Sequence, residues 1–125
     1  MNLAHRVQAC FQAFERKDRA AWAALCAPDA VLGGLAHESP VTRQAALSER
    51  FERIGASSAT FHFELVAVHV ALLNAAAVFK RNVVGANGKT ASAEGIVAFA
   101  ADTNGRFTRI AGFWNPALVF AAAMA

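Results

Sequence analysis

The residues that could do chemistry in this chain are few, and their types narrow the choice. There is no tyrosine, so no phenol can serve as an acid or as an oxyanion donor. His62 and Glu64 stand two apart in Phe61-His62-Phe63-Glu64-Leu65. On a strand they share a face, close enough for a carboxylate to orient an imidazole as acid or base. The more apolar set is Phe61, Phe63, Leu65 and Ala67, which alternates with His62, Glu64, Val66 and Val68. By that pattern His62 and Glu64 face water or a partner subunit. Glu94 follows the same logic, in a polar face with Thr90 and Ser92, and His69 is open to either face. Arg81 shares a face with Ala77, Phe79 and Val83. Two placements fit it: a guanidinium among apolar neighbours that must meet an anion, or a solvated side chain near a strand end. His37 and Glu38 lie in a loop, where function concentrates but where a histidine can also be simply solvated. Asp29 follows Pro28 and reads as a turn-stabilising carboxylate.

Metal and nucleotide chemistry find no motif. His62 and His69 are seven apart, which on an uninterrupted strand sends them to opposite faces, and no HExxH or paired Cys accompanies them. Neither GxGxxG nor GxxxxGK[ST] occurs. No cofactor is expected. Cys10 and Cys26 do not make a disulfide framework and read as buried, reduced thiols.

These residues need elements to hold them. Leu3, Val7, Cys10, Phe11 and Phe14 recur at helical spacing, predicting a helix over 2–16. Asp18 then caps a second helix with Trp22, Leu25 and Cys26 inward, which Pro28 ends. Ala30-Val31-Leu32 reads as a short strand and 33–41 as an irregular loop. Thr42 is the N-cap of a third helix, in which Leu47, Phe51 and Ile54 form one stripe, stopped by Gly55. From residue 59 the period becomes two, and Asn87-Gly88 and Asn104-Gly105 mark turns between segments at about 75–85, 89–100 and 106–115. Three helices beside four long antiparallel strands define an α+β domain over residues 1–125.

Composition excludes several classes. With 56% hydrophobic and 17% charged residues in 125, the chain can fill one core. No apolar stretch reaches the ~20 residues of a membrane span, and the first fifteen residues show no secretory signal, so the expected location is cytoplasmic. Twelve basic residues against nine acidic give +3, but they interleave, as in Glu15-Arg16-Lys17-Asp18-Arg19, without the basic stripe of a nucleic-acid binder.

The element order resembles the SnoaL-like branch of the nuclear transport factor 2-like superfamily. So do the run Lys17-Asp18-Arg19-Ala20-Ala21-Trp22 through Pro28-Asp29-Ala30-Val31-Leu32 and the stretch Phe113-Trp114-Asn115-Pro116. The resemblance covers nearly the whole chain. It implies a curved sheet wrapped on helices into a cone that admits an apolar small molecule. It turns the Arg81 face inward, and it places Trp22, Phe79, Trp114 and Phe14 along the pocket and His37 at its rim. The ketosteroid isomerase acid falls at Cys10, the general base near Gly34 and the protonated carboxylic acid at Gly95 or Ile96, none of which can perform that role. The acidic residue that often closes the last strand is Asn115, which can orient a carbonyl or water but cannot take up a proton. The resemblance therefore implies a cofactor-independent isomerase, cyclase or dehydratase using Arg81, His37 and Asn115 on a hydrophobic or weakly acidic substrate. Its alternative is a non-catalytic carrier or dimeric interaction module. A homodimer is expected from the family and from a sheet that is apolar on both faces.

Overall fold

The computed structural model describes residues 2–33, 41–42, 60–85 and 88–113. Helix α1 spans Leu3–Glu15; the Asn2 side chain accepts from the His5 N–H at 3.0 Å, and Leu3, Val7, Cys10, Phe11 and Ala13 are buried. Lys17 adopts φ 55, which breaks the helix and lets Asp18 start the next. Helix α2 spans Arg19–Leu25, and the Asp18 carboxylate accepts from Ala21 N–H at 3.0 Å, as its cap position predicts.

Strand β1 is longer than the sequence pattern predicts. It runs Cys26–Gly33, so Pro28 lies inside a strand instead of ending the helix. The parallel pairing of β1 with the last strand shifts register between Cys26 and Val31. The N–H that Pro28 lacks is therefore missing where the ladder is already interrupted. The expected loop 33–41 also gives way at its end: Val41–Thr42 forms β2, antiparallel to β1, with Val31 opposite Thr42. Thr42 thus lies in a strand, and the helix it is expected to cap falls outside the described residues. Among the described residues there are two helices; the remainder of the third predicted helix, 43–54, lies outside them.

The meander follows as β3 (Thr60–Ala71), β4 (Asn74–Val84), β5 (Thr90–Ala101) and β6 (Phe107–Phe113). The six strands lie in the order β2-β1-β6-β5-β4-β3, all neighbours antiparallel except β1 and β6. Gly88 and Gly105 take φ 80 and 81 at the two predicted turns. At the second, the Asp102 carboxylate accepts from Asn104 and Arg106 N–H groups at 2.9 and 3.0 Å. The β3–β4 turn uses Leu72, exposed and at φ 55.

A bulge in β3 changes the facing of half the strand. Leu65 opposes Phe79 but Ala67 opposes Val78, so one extra residue sits between them. Ala67 therefore leaves the face it would share with Phe63 and Leu65 under strict alternation, and Val68, opposite Ala77, packs on the core instead. His62 and His69 end on the same face, opposite Asn82 and Ala76, six residues of β4 or about 20 Å apart, too far to share an ion. The helices cover the other face, where Trp22, Phe79, Phe107, Val7 and Val83 are the largest fully buried side chains. The result is α+β: two helices packed on one face of a curved, unclosed sheet. No helix among the described residues is long and apolar enough to cross a membrane.

Candidate functional site

Alternation along β4 is clean, with Ala75, Ala77, Phe79, Arg81 and Val83 all turned to the helix-covered face and buried. Of the two placements open to Arg81, the structure has the inward one. It is 6% exposed and is the one charged side chain buried among the described residues. Phe79 and Val83 flank it along the strand, and Phe63 and Ala93 are its cross-strand partners. The guanidinium carbon lies 5.1 Å from the Phe63 ring centroid, within cation–π range.

That ring belongs to an aromatic cluster. Phe63 contacts Phe11 at 5.2 Å, Phe79 at 6.1 Å and Phe14 at 6.4 Å between centroids, and Phe14 meets Trp22 at 6.1 Å. On the β5 side the residues opposite Arg81 and Phe79 are Ala93 and Gly95, half-buried and carrying little bulk. Aromatic side chains thus stand on one flank of the guanidinium and small ones on the other. Burial pulls the Arg81 pKa down to about 10. The group remains cationic at neutral pH, in surroundings where its attraction for an anion is stronger than in water.

The acid–base residues singled out by spacing fall elsewhere. His62, Glu64, His69 and Glu94 are exposed. Glu94 lies 3.9 Å from Lys80, a surface pair of the kind that contributes at most about 1 kcal/mol. His62 is not oriented by Glu64. Its Nδ1 is 3.4 Å from Glu15 Oε1, and the same oxygen accepts the Phe63 N–H at 2.6 Å. Glu15 falls outside the apolar stripe of Leu3, Val7, Cys10, Phe11 and Phe14, and a contact spanning 48 residues carries no local signal. Asp29 is exposed on β1. His37, Trp114 and Asn115 lie outside the described residues.

Cys10 and Cys26 are both free and buried. Burial, and secondarily proximity to Cys26, push the Cys10 thiol well above the usual thiol range, against an opposing effect of the Trp22 indole. A thiol so held is inert at neutral pH. No three His, Cys, Asp or Glu side chains gather as a metal site among the described residues. A separate surface groove of about 360 Å³ runs between α1 and β3, lined by Asn2, Ala4, His5, Gln8, Leu65 and Val68. It contains none of the candidate site residues.

The curved sheet and its helix-covered apolar face are those of the nuclear transport factor 2-like fold. Residues 7–110 match the SnoaL-like domain, and the chain belongs to that family. No curated protein sequence matches it. A Xanthomonas campestris pv. campestris protein provisionally called a polyketide cyclase is similar to it in structure, with a TM-score of 0.80 and 23% identity over 97% of this chain and 96% of that one. A Δ5-3-ketosteroid isomerase from Mycobacterium sp. is similar with TM-score 0.75 and 23% identity, over 93% and 95% of the two chains. An epoxide hydrolase of the LEH-like type from M. tuberculosis gives TM-score 0.77 and 13% identity, over 98% and 89%.

Proposed function

We propose that this chain binds a hydrophobic organic acid, or a carbonyl compound passing through an enolate, with Arg81 holding the anionic oxygen against the aromatic cluster. The observation that carries this reading is the burial of a guanidinium between Phe79 and Val83. In so apolar a place the attraction of the guanidinium for an anionic oxygen is stronger than in water, which suits it to hold the oxygen of a ligand. Phe14 and Phe63, half-buried, supply apolar contact to the ligand body together with Trp114, and the fully buried Phe79 and Trp22 stand behind them as the pocket wall. Chemistry at such a site is cofactor-independent proton transfer: isomerisation, cyclisation or dehydration. Arg81 stabilises the developing enolate oxygen, His37 moves the proton and Asn115 orients a carbonyl or a water. The names carried by the similar structures, a ketosteroid isomerase and a cyclase among them, support this class of reaction.

A second reading, a non-catalytic carrier, is favoured by one observation: the position matching the ketosteroid isomerase acid is Cys10, a buried thiol held in its neutral form. Calorimetry and product analysis with steroid-like and polyketide-like acids separate the two. Turnover supports the enzyme, saturable binding without product supports the carrier, and the absence of both refutes the site. The chain acts as a homodimer, in keeping with the exposed Val66 and Ile96. Sedimentation as a monomer at micromolar concentration contradicts that.

A further inference from the structure

We infer that Glu15 is a positioning residue for Arg81, acting through the backbone and ring of Phe63. The inference rests on the reading of Arg81 as the anion anchor. Strand β3 is one of the two outer strands of the described sheet. In an antiparallel ladder alternate residues of an outer strand direct their N–H groups away from the neighbouring strand, where the ladder cannot satisfy them. Phe63 is such a residue, and its N–H donates to Glu15 Oε1 at 2.6 Å, a short, charge-assisted bond.

Helix electrostatics do not explain a glutamate there. Glu15 is the last residue of α1, where the macrodipole disfavours an anion, and no basic residue shares that last turn. Its tertiary contacts do explain it: the Phe63 amide, with His62 Nδ1 at 3.4 Å on the same oxygen. The strand also needs fixing at this point, because the bulge between Leu65 and Ala67 interrupts the β3–β4 register just beyond Phe63. The carboxylate thus ties down the backbone from which the Phe63 ring projects, and the Arg81 guanidinium stands 5.1 Å over that ring. Loosening Glu15 moves the ring, and the guanidinium loses its platform.

Nuclear magnetic resonance reads this coupling without a ligand. In the wild type the Phe63 amide proton is expected far downfield, from its short bond to a carboxylate, and the Arg81 side-chain protons upfield, shielded by the Phe63 ring. Glu15→Ala is expected to abolish both displacements and to weaken binding of 8-anilinonaphthalene-1-sulfonate, a hydrophobic anion, roughly tenfold, as is usual when a supporting group is removed. Glu15→Gln retains an acceptor oxygen without the charge. It is expected to bring the Phe63 amide partway back while preserving the Arg81 shielding and most of the affinity. A folded Glu15→Ala protein with Arg81 shielding unchanged overturns the inference. If that variant does not fold, Glu15→Gln decides, and an unmoved Phe63 amide overturns it. Should Arg81→Met bind the sulfonate as the wild type does, the anion-anchor reading fails instead, while the two spectroscopic shifts still report on Glu15.

Discussion

Replacing Arg81 with methionine removes the charge and keeps a long unbranched side chain, so it separates stability from function at the centre of the site. The fall of the Arg81 pKa to about 10 has one cause, desolvation by burial. It corresponds to roughly 3 kcal/mol of bias against the charged form in the folded protein. Stacking on Phe63 returns about 1 kcal/mol, and the further contacts of the guanidinium return part of the rest; the substitution gives up all of these. Arg81→Met is therefore expected to leave the stability within about 2 kcal/mol of the wild type, a shift in urea midpoint of no more than about 1 to 2 M for an ordinary denaturant dependence. Binding of hydrophobic acids should disappear in the same variant. The pH dependence has a definite sign. A cationic group whose folded pKa is lowered binds fewer protons folded than unfolded above about pH 10, so its burden is fully present below that pH and is relieved only as pH rises through it. The stability of the wild type relative to the variant should accordingly stay flat from about pH 6 to 9 and rise above about 10. Urea denaturation of both proteins across that range is the assay. A stability difference that does not change above about pH 10 refutes the reasoning, because the charge would then be carried without a desolvation cost.

Other substitutions test separate parts of the structure. Leu72 occupies a positive-φ turn position with its side chain in solvent, so Leu72→Gly should be neutral or stabilising by up to about 1 kcal/mol in thermal denaturation. A clear loss of stability would show that the turn does not take that conformation. Asp18→Ala removes the cap on Ala21 and should lower stability by about 1 kcal/mol, whereas Asp18→Asn should lower it by less. Cys10 and Cys26 should react with a thiol reagent only after denaturation, and the double Cys→Ala protein should fold and retain ligand affinity. Rapid labelling of the native protein would contradict their burial.

The helices, the meander and its two glycine turns were legible because each rests on local rules: the 3.6-residue stripe of α1, the Asp18 cap, and Gly88 and Gly105 where φ is positive. The alternation around Arg81 was equally legible, though not whether its face was covered. That depends on the helices packing over β4, and tertiary structure decided it. The β3 bulge was invisible because a run of Val and Ala satisfies either parity, so nothing in Val66-Ala67-Val68 marks the extra residue that brings His62 and His69 onto one face. Pro28 looked like a helix terminator because the local rule has no knowledge of the strand register beside it. Glu15 was the largest miss. Its local setting, a polar helix face next to basic neighbours, predicts solvent, and only the approach of α1 to the outer strand supplies the Phe63 amide that gives the carboxylate its place. Local sequence thus determined which elements form and which side chains share a face. Tertiary packing determined which faces are dry, and so which charges acquire consequences.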